Sequence, residues 1–223
     1  MTQKDKGLQR LQLDWAQLFG LLSVVIAIVA IQLALPDDVT IGPTELVPFV
    51  ELAGIPIILC LTFVPNAGIK YVRWAMDFFL GVIVLATVMN ALLLLLSLLS
   101  GTSESGVALL FAGFGVLIIN VLSFGLVYWW IDGGGPGVRF AGQVTKPDFL
   151  FPQQGMDGQE NWHPTLIDYL FTAYTNIIAF SPTDTMPLSH RVKALFTVQS
   201  ATALLTIVVT LSRAINLIPG GPP

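Results

Sequence analysis

The chain has 223 residues, of which 54% are hydrophobic and only 11% are charged. Soluble domains carry about 25% charged residues, so this composition and a mean hydropathy of +0.78 predict an integral membrane protein, with the lipid bilayer as its first partner. The net charge of −4, without a basic block, argues against nucleic-acid binding, and a single cysteine excludes an internal disulfide.

Five apolar runs predict five membrane-spanning helices. A helix needs about 20 apolar residues to cross a hydrocarbon core of about 30 Å. The second run is the weakest because it contains Glu51, Pro48 and Pro56, and a kinked helix lying in the membrane interface is the alternative for it. The predicted spans are residues 15–35, 46–64, 74–99, 107–130 and 194–211.

The last third of the chain has a different pattern. An apolar segment of about 15 residues, 166–180, is too short to cross a membrane and is followed by a polar break at 181–187. Irregular backbone is tolerated at membrane depth only where it is buried in protein or lines a cavity. We therefore predict an all-α polytopic membrane protein with a re-entrant pore helix and loop before the last helix. Its predicted parts are a four-helix membrane region (1–130), a surface loop (131–163) and a pore-loop hairpin (164–223).

The hairpin resembles a known family. Residues 168–175 are similar to the pore helix of tetrameric potassium-type channels, which leads into a TVGYGD filter. Aligned without a gap, the filter falls on 179–184, and the family's proline falls on Pro187. This resemblance implies a homotetrameric ion channel with monovalent cations as partners and with no cofactor. The segment AFSPTDT-M-PLS also resembles the ends of certain bacterial membrane proteins of unassigned activity, which implies a bacterial inner membrane.

The filter positions depart from the potassium-channel pattern. Two glycines of that filter allow the backbone angles that aim its carbonyls at the ion, whereas this chain has Ser181 and Thr183 there. Pro182 between them fixes its own φ and restricts the residue before it. Phe180 replaces the valine, and a ring of four phenylalanines would narrow the pore at its axis or exclude water from it. The expected pore is therefore non-potassium-selective or weakly cation-preferring.

The candidate site residues have two possible roles. Asp184 would form an acidic, cation-attracting ring in a tetramer, or residues 181–184 would cap the following helix or form local hydrogen bonds. The polar positions of the last helix share one face, and either line a pore or hold neighbouring helices together. The filter-like candidates are Thr175, Asn176, Ala179, Phe180, Ser181, Pro182, Thr183 and Asp184, and the candidates for lining are Gln199, Thr202 and Thr206.

An enzyme and a structural subunit are the function classes that compete with a pore. Nothing in the sequence pairs a nucleophile with a base, and no metal-ligand spacing appears, so we expect neither an enzyme nor a metal site. A structural or accessory membrane subunit with a non-conducting pore-loop scaffold is the alternative.

The lysines and arginines other than Arg213 lie in 1–14, 66–73, 131–163 and 190–193. This distribution predicts a cytoplasmic N-terminus. It also turns the hairpin toward the cytosol, whereas the filter of potassium-type channels faces outside.

Overall fold

The computed structural model describes residues 15–40, 46–63, 69–100, 106–140, 144, 146–159, 162–181 and 184–217. These residues are almost entirely helical. Two strands of two residues each, β1 (Phe149–Leu150) and β2 (Met186–Pro187), pair antiparallel. The helices are α1 (Trp15–Ala34), α2 (Leu46–Leu52), α3 (Gly54–Phe63), α4 (Ile69–Ser100), α5 (Gly106–Ile131), α6 (Pro136–Phe140), α7 (Leu166–Ile178) and α8 (His190–Leu217).

Four helices in the described part of the chain are long and apolar enough to cross a membrane: α1, α4, α5 and α8. They correspond to four of the five predicted spans. The fifth, 46–64, is not one continuous helix, because α2 has 7 residues and α3 has 10. At 1.5 Å per residue, neither alone reaches across about 30 Å. The two helices are separated at Ala53, whose N–H donates to Val50 O at 3.2 Å.

Helix α5 is the centre of the bundle. It packs against α8, α7, α4 and α1, and residues 123–130 are all buried. A helix that is hydrophobic on every side is typical of a membrane span or a buried core, and this half of α5 is covered by its neighbours. Buried polar side chains join the other helices: Asn90 Nδ2 of α4 donates to Gln32 Oε1 of α1 at 2.8 Å, and Thr87 Oγ1 donates to Ser123 Oγ at 3.1 Å. Such bonds between helices add to packing where water is absent.

The helix ends fall into two groups. At one end, which we call the arginine end, Arg73 Nη2 near the start of α4 donates to Gly134 O after α5, at 2.8 Å. Gly20 near the start of α1 faces Leu166 at the start of α7. At the opposite end, Gly115 of α5 faces Leu35, which follows α1. Residues 46–63 therefore lead from the opposite end back toward the arginine end.

Two glycines on different helices offer a matched test of this packing. A Cβ at Gly113 would lie 2.0 Å from Thr210 Oγ1, whereas a Cβ at Gly81 would have nothing within 4 Å. Thr210 is held by a bond to Thr206 O at 2.7 Å and has little freedom to move. We expect G113A to lower the free energy of unfolding by about 1–3 kcal/mol and G81A to leave it unchanged or raise it slightly. Unfolding in mixed detergent micelles measures both, and equal effects would contradict the close contact.

Candidate functional site

Helix α7 begins where its sequence contains a capping pattern. Asp168 Oδ2 accepts hydrogen bonds from Thr165 N at 2.7 Å and from Thr165 Oγ1 at 2.8 Å. Pro164, just before this pair, is buried. This reciprocal arrangement satisfies amide groups that have no partner within the helix. Asp168 therefore has a structural role at the start of α7.

The chain after α7 returns to the end from which α7 starts. Asn176, near the end of α7, lies beside Gln199, more than two turns into α8. Thr172 Oγ1, one turn earlier, donates to Thr185 Oγ1 at 3.2 Å, and Met186 pairs with Leu150 near the arginine end. Helix α7 thus runs into the bundle for 13 residues, and 185–187 lie back beside it. We call α7 together with 179–181 and 184–187 the hairpin.

The tip of the hairpin lies on the surface of the chain. Ala179, Phe180, Ser181 and Asp184 are exposed, whereas Pro182 and Thr183 lie outside the described residues. Phe180 has φ +51°, in the left-handed region that residues other than glycine seldom adopt. Such conformations persist only where the surroundings hold them, and they are frequent at functional sites.

Asp184 does not cap the following helix. Helix α8 begins at His190, six residues later, and Val192 N donates to Ser189 Oγ at 3.4 Å at its start. The capping alternative for 181–184 is therefore wrong for α8. The exposed Asp184 carboxylate is available to solvent or to another molecule.

Asn176 and Gln199 form the centre of a buried polar cluster inside the chain. Gln199 Oε1 accepts from Asn176 Nδ2 at 2.8 Å and from Tyr128 OH at 2.7 Å. Gln199 Nε2 donates to Ala173 O at 3.0 Å. One side chain of α8 therefore connects α7 to α5. Thr175, also buried, donates from Oγ1 to Thr172 O at 3.1 Å.

The polar face predicted for the last helix is directed into the bundle. Gln199, Thr202 and Thr206 are all buried within a single chain. Both threonines donate to backbone carbonyls of their own helix, at 2.8 Å and 2.9 Å. Of the two alternatives for this face, helix packing is the one that the geometry supports. If several copies of the chain surrounded a common axis, the opposite, exposed face of α8 would face that axis. This face includes Thr197 and Ala201.

A surface groove separates the hairpin tip from that opposite face of α8. Its volume is about 560 Å³. Phe180, Ser181 and Asn176 form one wall, and Thr197, Ala201 and Leu204 are on the other.

Arginines from three segments converge at the end of α5. Arg139 of α6 donates from Nη2 to Trp129 O at 2.7 Å and from Nη1 to Asp132 O at 2.6 Å. Arg191 of α8 donates from Nη2 to Ile131 O at 2.9 Å. With Arg73 on Gly134 O, these side chains satisfy carbonyls that have no partner within the helix. Glycines 133–135 all have positive φ, between 58° and 98°, which ends α5 and exposes those carbonyls.

Two aspartates hold the loop 146–150 against the same end. Asp132 Oδ1 accepts from Asp148 N at 2.9 Å, and its Oδ2 accepts from Tyr169 OH at 2.5 Å. Asp148 is 3% exposed and forms an ion pair with Arg191 through both carboxylate oxygens. Burial acts to raise the pKa of Asp148, but hydrogen bonds from Arg191, Ser189 and Gly133 outweigh it and hold that pKa below its ordinary value of 3.8. The sequence shows these charged residues but not that they contact one another, so this cluster was not predicted.

The depressed pKa of Asp148 predicts acid sensitivity. A carboxyl whose folded pKa lies below the unfolded value stabilises the fold above the unfolded value, and loses this effect as the pH falls through the folded pKa. Wild-type stability should thus fall more steeply than that of D148N below about pH 4. Thermal unfolding of both proteins between about pH 5 and about pH 3 measures the difference. Parallel curves would contradict the ion pair.

Comparison with known proteins does not assign a family. No family model matches this chain, and no curated protein or solved structure matches it. Among the described residues, no three His, Cys, Asp or Glu side chains are grouped as metal ligands. The functional assignment therefore depends on the hairpin and its surroundings.

Proposed function

We propose that this chain is one subunit of a homo-oligomeric, pore-loop membrane protein of the ion-channel type. The observation that carries the proposal is the hairpin: a 13-residue helix enters the bundle, and the chain returns to the same end with its tip exposed. Copies arranged around a common axis, four by the resemblance, would bring these tips together. Each tip would contribute Phe180, Ser181 and Asp184 to the axis.

The proposed topology has five crossings and a re-entrant hairpin. Residues 46–63 would make the second crossing as a broken helix, since they lead between the two ends of the bundle. The arginine end would face the cytoplasm of a bacterial inner membrane, because basic residues concentrate on the cytoplasmic side. The hairpin then enters from the cytoplasmic side, opposite to potassium-type channels.

The proposed pathway is cation-preferring and not potassium-selective. Its polar surface would come from Asp184 and Ser181 at the tip and from Thr197 on the exposed face of α8. The face containing Gln199, Thr202 and Thr206 would contribute only packing.

Flux through liposomes, together with native mass spectrometry of the purified oligomer, tests the proposal. We expect similar potassium and sodium flux. D184N should lower cation preference severalfold, because an acidic ring concentrates cations, and F180A should raise the flux by widening the axis. D157N, which removes an exposed carboxylate from the loop, should leave flux unchanged. A monomer without flux, or strong selection of potassium over sodium, would contradict the proposal.

A non-conducting structural or accessory subunit is the second candidate. It is favoured by the cluster around Gln199, which uses the polar groups of α7 and α8 for packing within one chain. In this case D184N and F180A would change assembly or stability, and membrane permeability would stay at the level of empty liposomes. The same measurements therefore separate the two functions.

A further inference from the structure

A second cavity lies at the arginine end, away from the hairpin tip. Its volume is about 310 Å³, at the lower limit of the range that small ligands occupy. It is bounded by the end of α5, by α6 and by the loop that leads into α7. The polar side chains among its lining residues are Asp132, Arg139, Gln154, Gln159, Trp162 and His163.

Arg139 in this cavity is buried, and one of its three guanidinium nitrogens has no hydrogen-bond partner. The residue is 5% exposed, and its Nη1 and Nη2 donate to backbone carbonyls, but Nε has no hydrogen-bond partner. The guanidinium is fixed in place, because it also lies 5.8 Å from the ring centre of Trp129 and 5.2 Å from that of Tyr169. A buried donor on a charged group is costly to leave without an acceptor. This geometry indicates that an acceptor is supplied from outside the chain.

The other polar groups of the cavity also favour an acceptor as ligand. The carboxylate of Asp132 is already occupied by bonds from Asp148 N, Phe149 N and Tyr169 OH. Gln154 Oε1 accepts from Phe151 N, which leaves its amide group as a donor. The indole of Trp162 can only donate. Among the lining residues that the structure describes, Arg139 is the only lysine or arginine.

We propose that this cavity binds a phosphate group, with Arg139 as its main ligand. Phosphate oxygens match a guanidinium in charge and geometry. The cavity lies at the end of α5, one of the helices long and apolar enough to cross a membrane, where lipid headgroups are within reach. The phosphate belongs either to a lipid headgroup or to a free anion. The proposal is independent of whether the hairpin forms a pore.

Calorimetric titration of the full chain in a phosphorus-free maltoside detergent tests this site. Inorganic phosphate is one titrant, and short-chain phosphatidylglycerol is the other. Binding of both identifies a site for free phosphate, and binding of the lipid alone identifies a headgroup site. Absence of binding in both titrations, with a protein that contains no residual phosphorus, overturns the proposal.

Variants locate the binding. R139Q removes the charged donor, but it also releases the carbonyls of Trp129 and Asp132 and can disturb folding. W162F is the second variant, because it keeps an aromatic ring against Phe151 (centroids 5.6 Å apart in the wild type) and removes the N–H together with the five-membered ring of the indole. We expect about tenfold weaker binding for W162F and a larger loss for R139Q.

K146Q removes an exposed cation outside the cavity and should bind within about twofold of wild type. Unchanged affinity in W162F together with a folded, fully binding R139Q would refute the assignment.

Discussion

Replacing Asp148 by alanine should lower the free energy of unfolding by about 2–4 kcal/mol. Asp148 is buried, and its removal leaves Gly133 N without its acceptor and the guanidinium of Arg191 with its bond to Ile131 O but without its carboxylate partner. The loss of stability is smaller than for a fully buried ion pair, because the Arg191 side chain is 57% exposed. Unfolding in mixed detergent micelles measures the effect.

A double-mutant cycle separates the ion pair from the other bonds of Asp148. D148N and R191Q, alone and together, should show a coupling energy of about 1–2 kcal/mol. D157N is the matched control, since it changes an exposed aspartate of the same loop and should shift stability by less than about 0.5 kcal/mol. Additive effects of D148N and R191Q would show that the pair contributes no coupling.

Replacing Gln199 by leucine should lower the free energy of unfolding by about 2–3 kcal/mol. Leucine has a similar volume, so the loss comes from polar groups and not from a cavity. Tyr128 OH loses its acceptor, Ala173 O loses a donor, and Asn176 Nδ2 keeps only its longer bond to Phe196 O at 3.3 Å. Y128F, which removes one bond of the cluster, should cost about 1 kcal/mol.

A variant on the opposite face of α8 provides the control for Gln199. Thr197 is exposed, and T197V removes a hydroxyl that donates only to Lys193 O of its own helix. We expect a change of less than about 0.5 kcal/mol. If Q199L were as mild as T197V, the cluster would not hold α7 against α5 and α8. Hydrogen exchange of α7 amides should rise in Q199L and remain at the wild-type level in T197V.

The long helices were predictable because each contains enough apolar residues to cross a membrane without a neighbour's help. The break at Ala53 was not predictable in the same way. Proline and glycine in 46–64 allow several kinks, and hydropathy does not select one of them. At the observed break, the ring of Phe79 fills the space beside Gly54, a contact between helices that the pattern of apolar residues does not contain.

The sequence predicted the short helix and the polar segment after it, but not which residues their side chains contact. The short length of 166–180 and the polar residues after it indicated a helix that could not cross, and α7 ends at Ile178. The spacing of Gln199, Thr202 and Thr206 indicated that they share one face of the last helix. It did not indicate whether that face lines a pore axis or packs against α5. The pairing of Arg191 with Asp148 joins residues 43 positions apart and depends on the path of the loop between them.

The three arginines at the end of α5 restrict how the bundle can move. The peptide dipoles of α5 place partial negative charge at this terminus, and guanidinium groups from α4, α6 and α8 neutralise it. Helix α8 is therefore anchored at its first turn, through Arg191. If α8 tilts, it pivots at its first turn. The largest displacement is then in its C-terminal half, where Thr210 lies against Gly113.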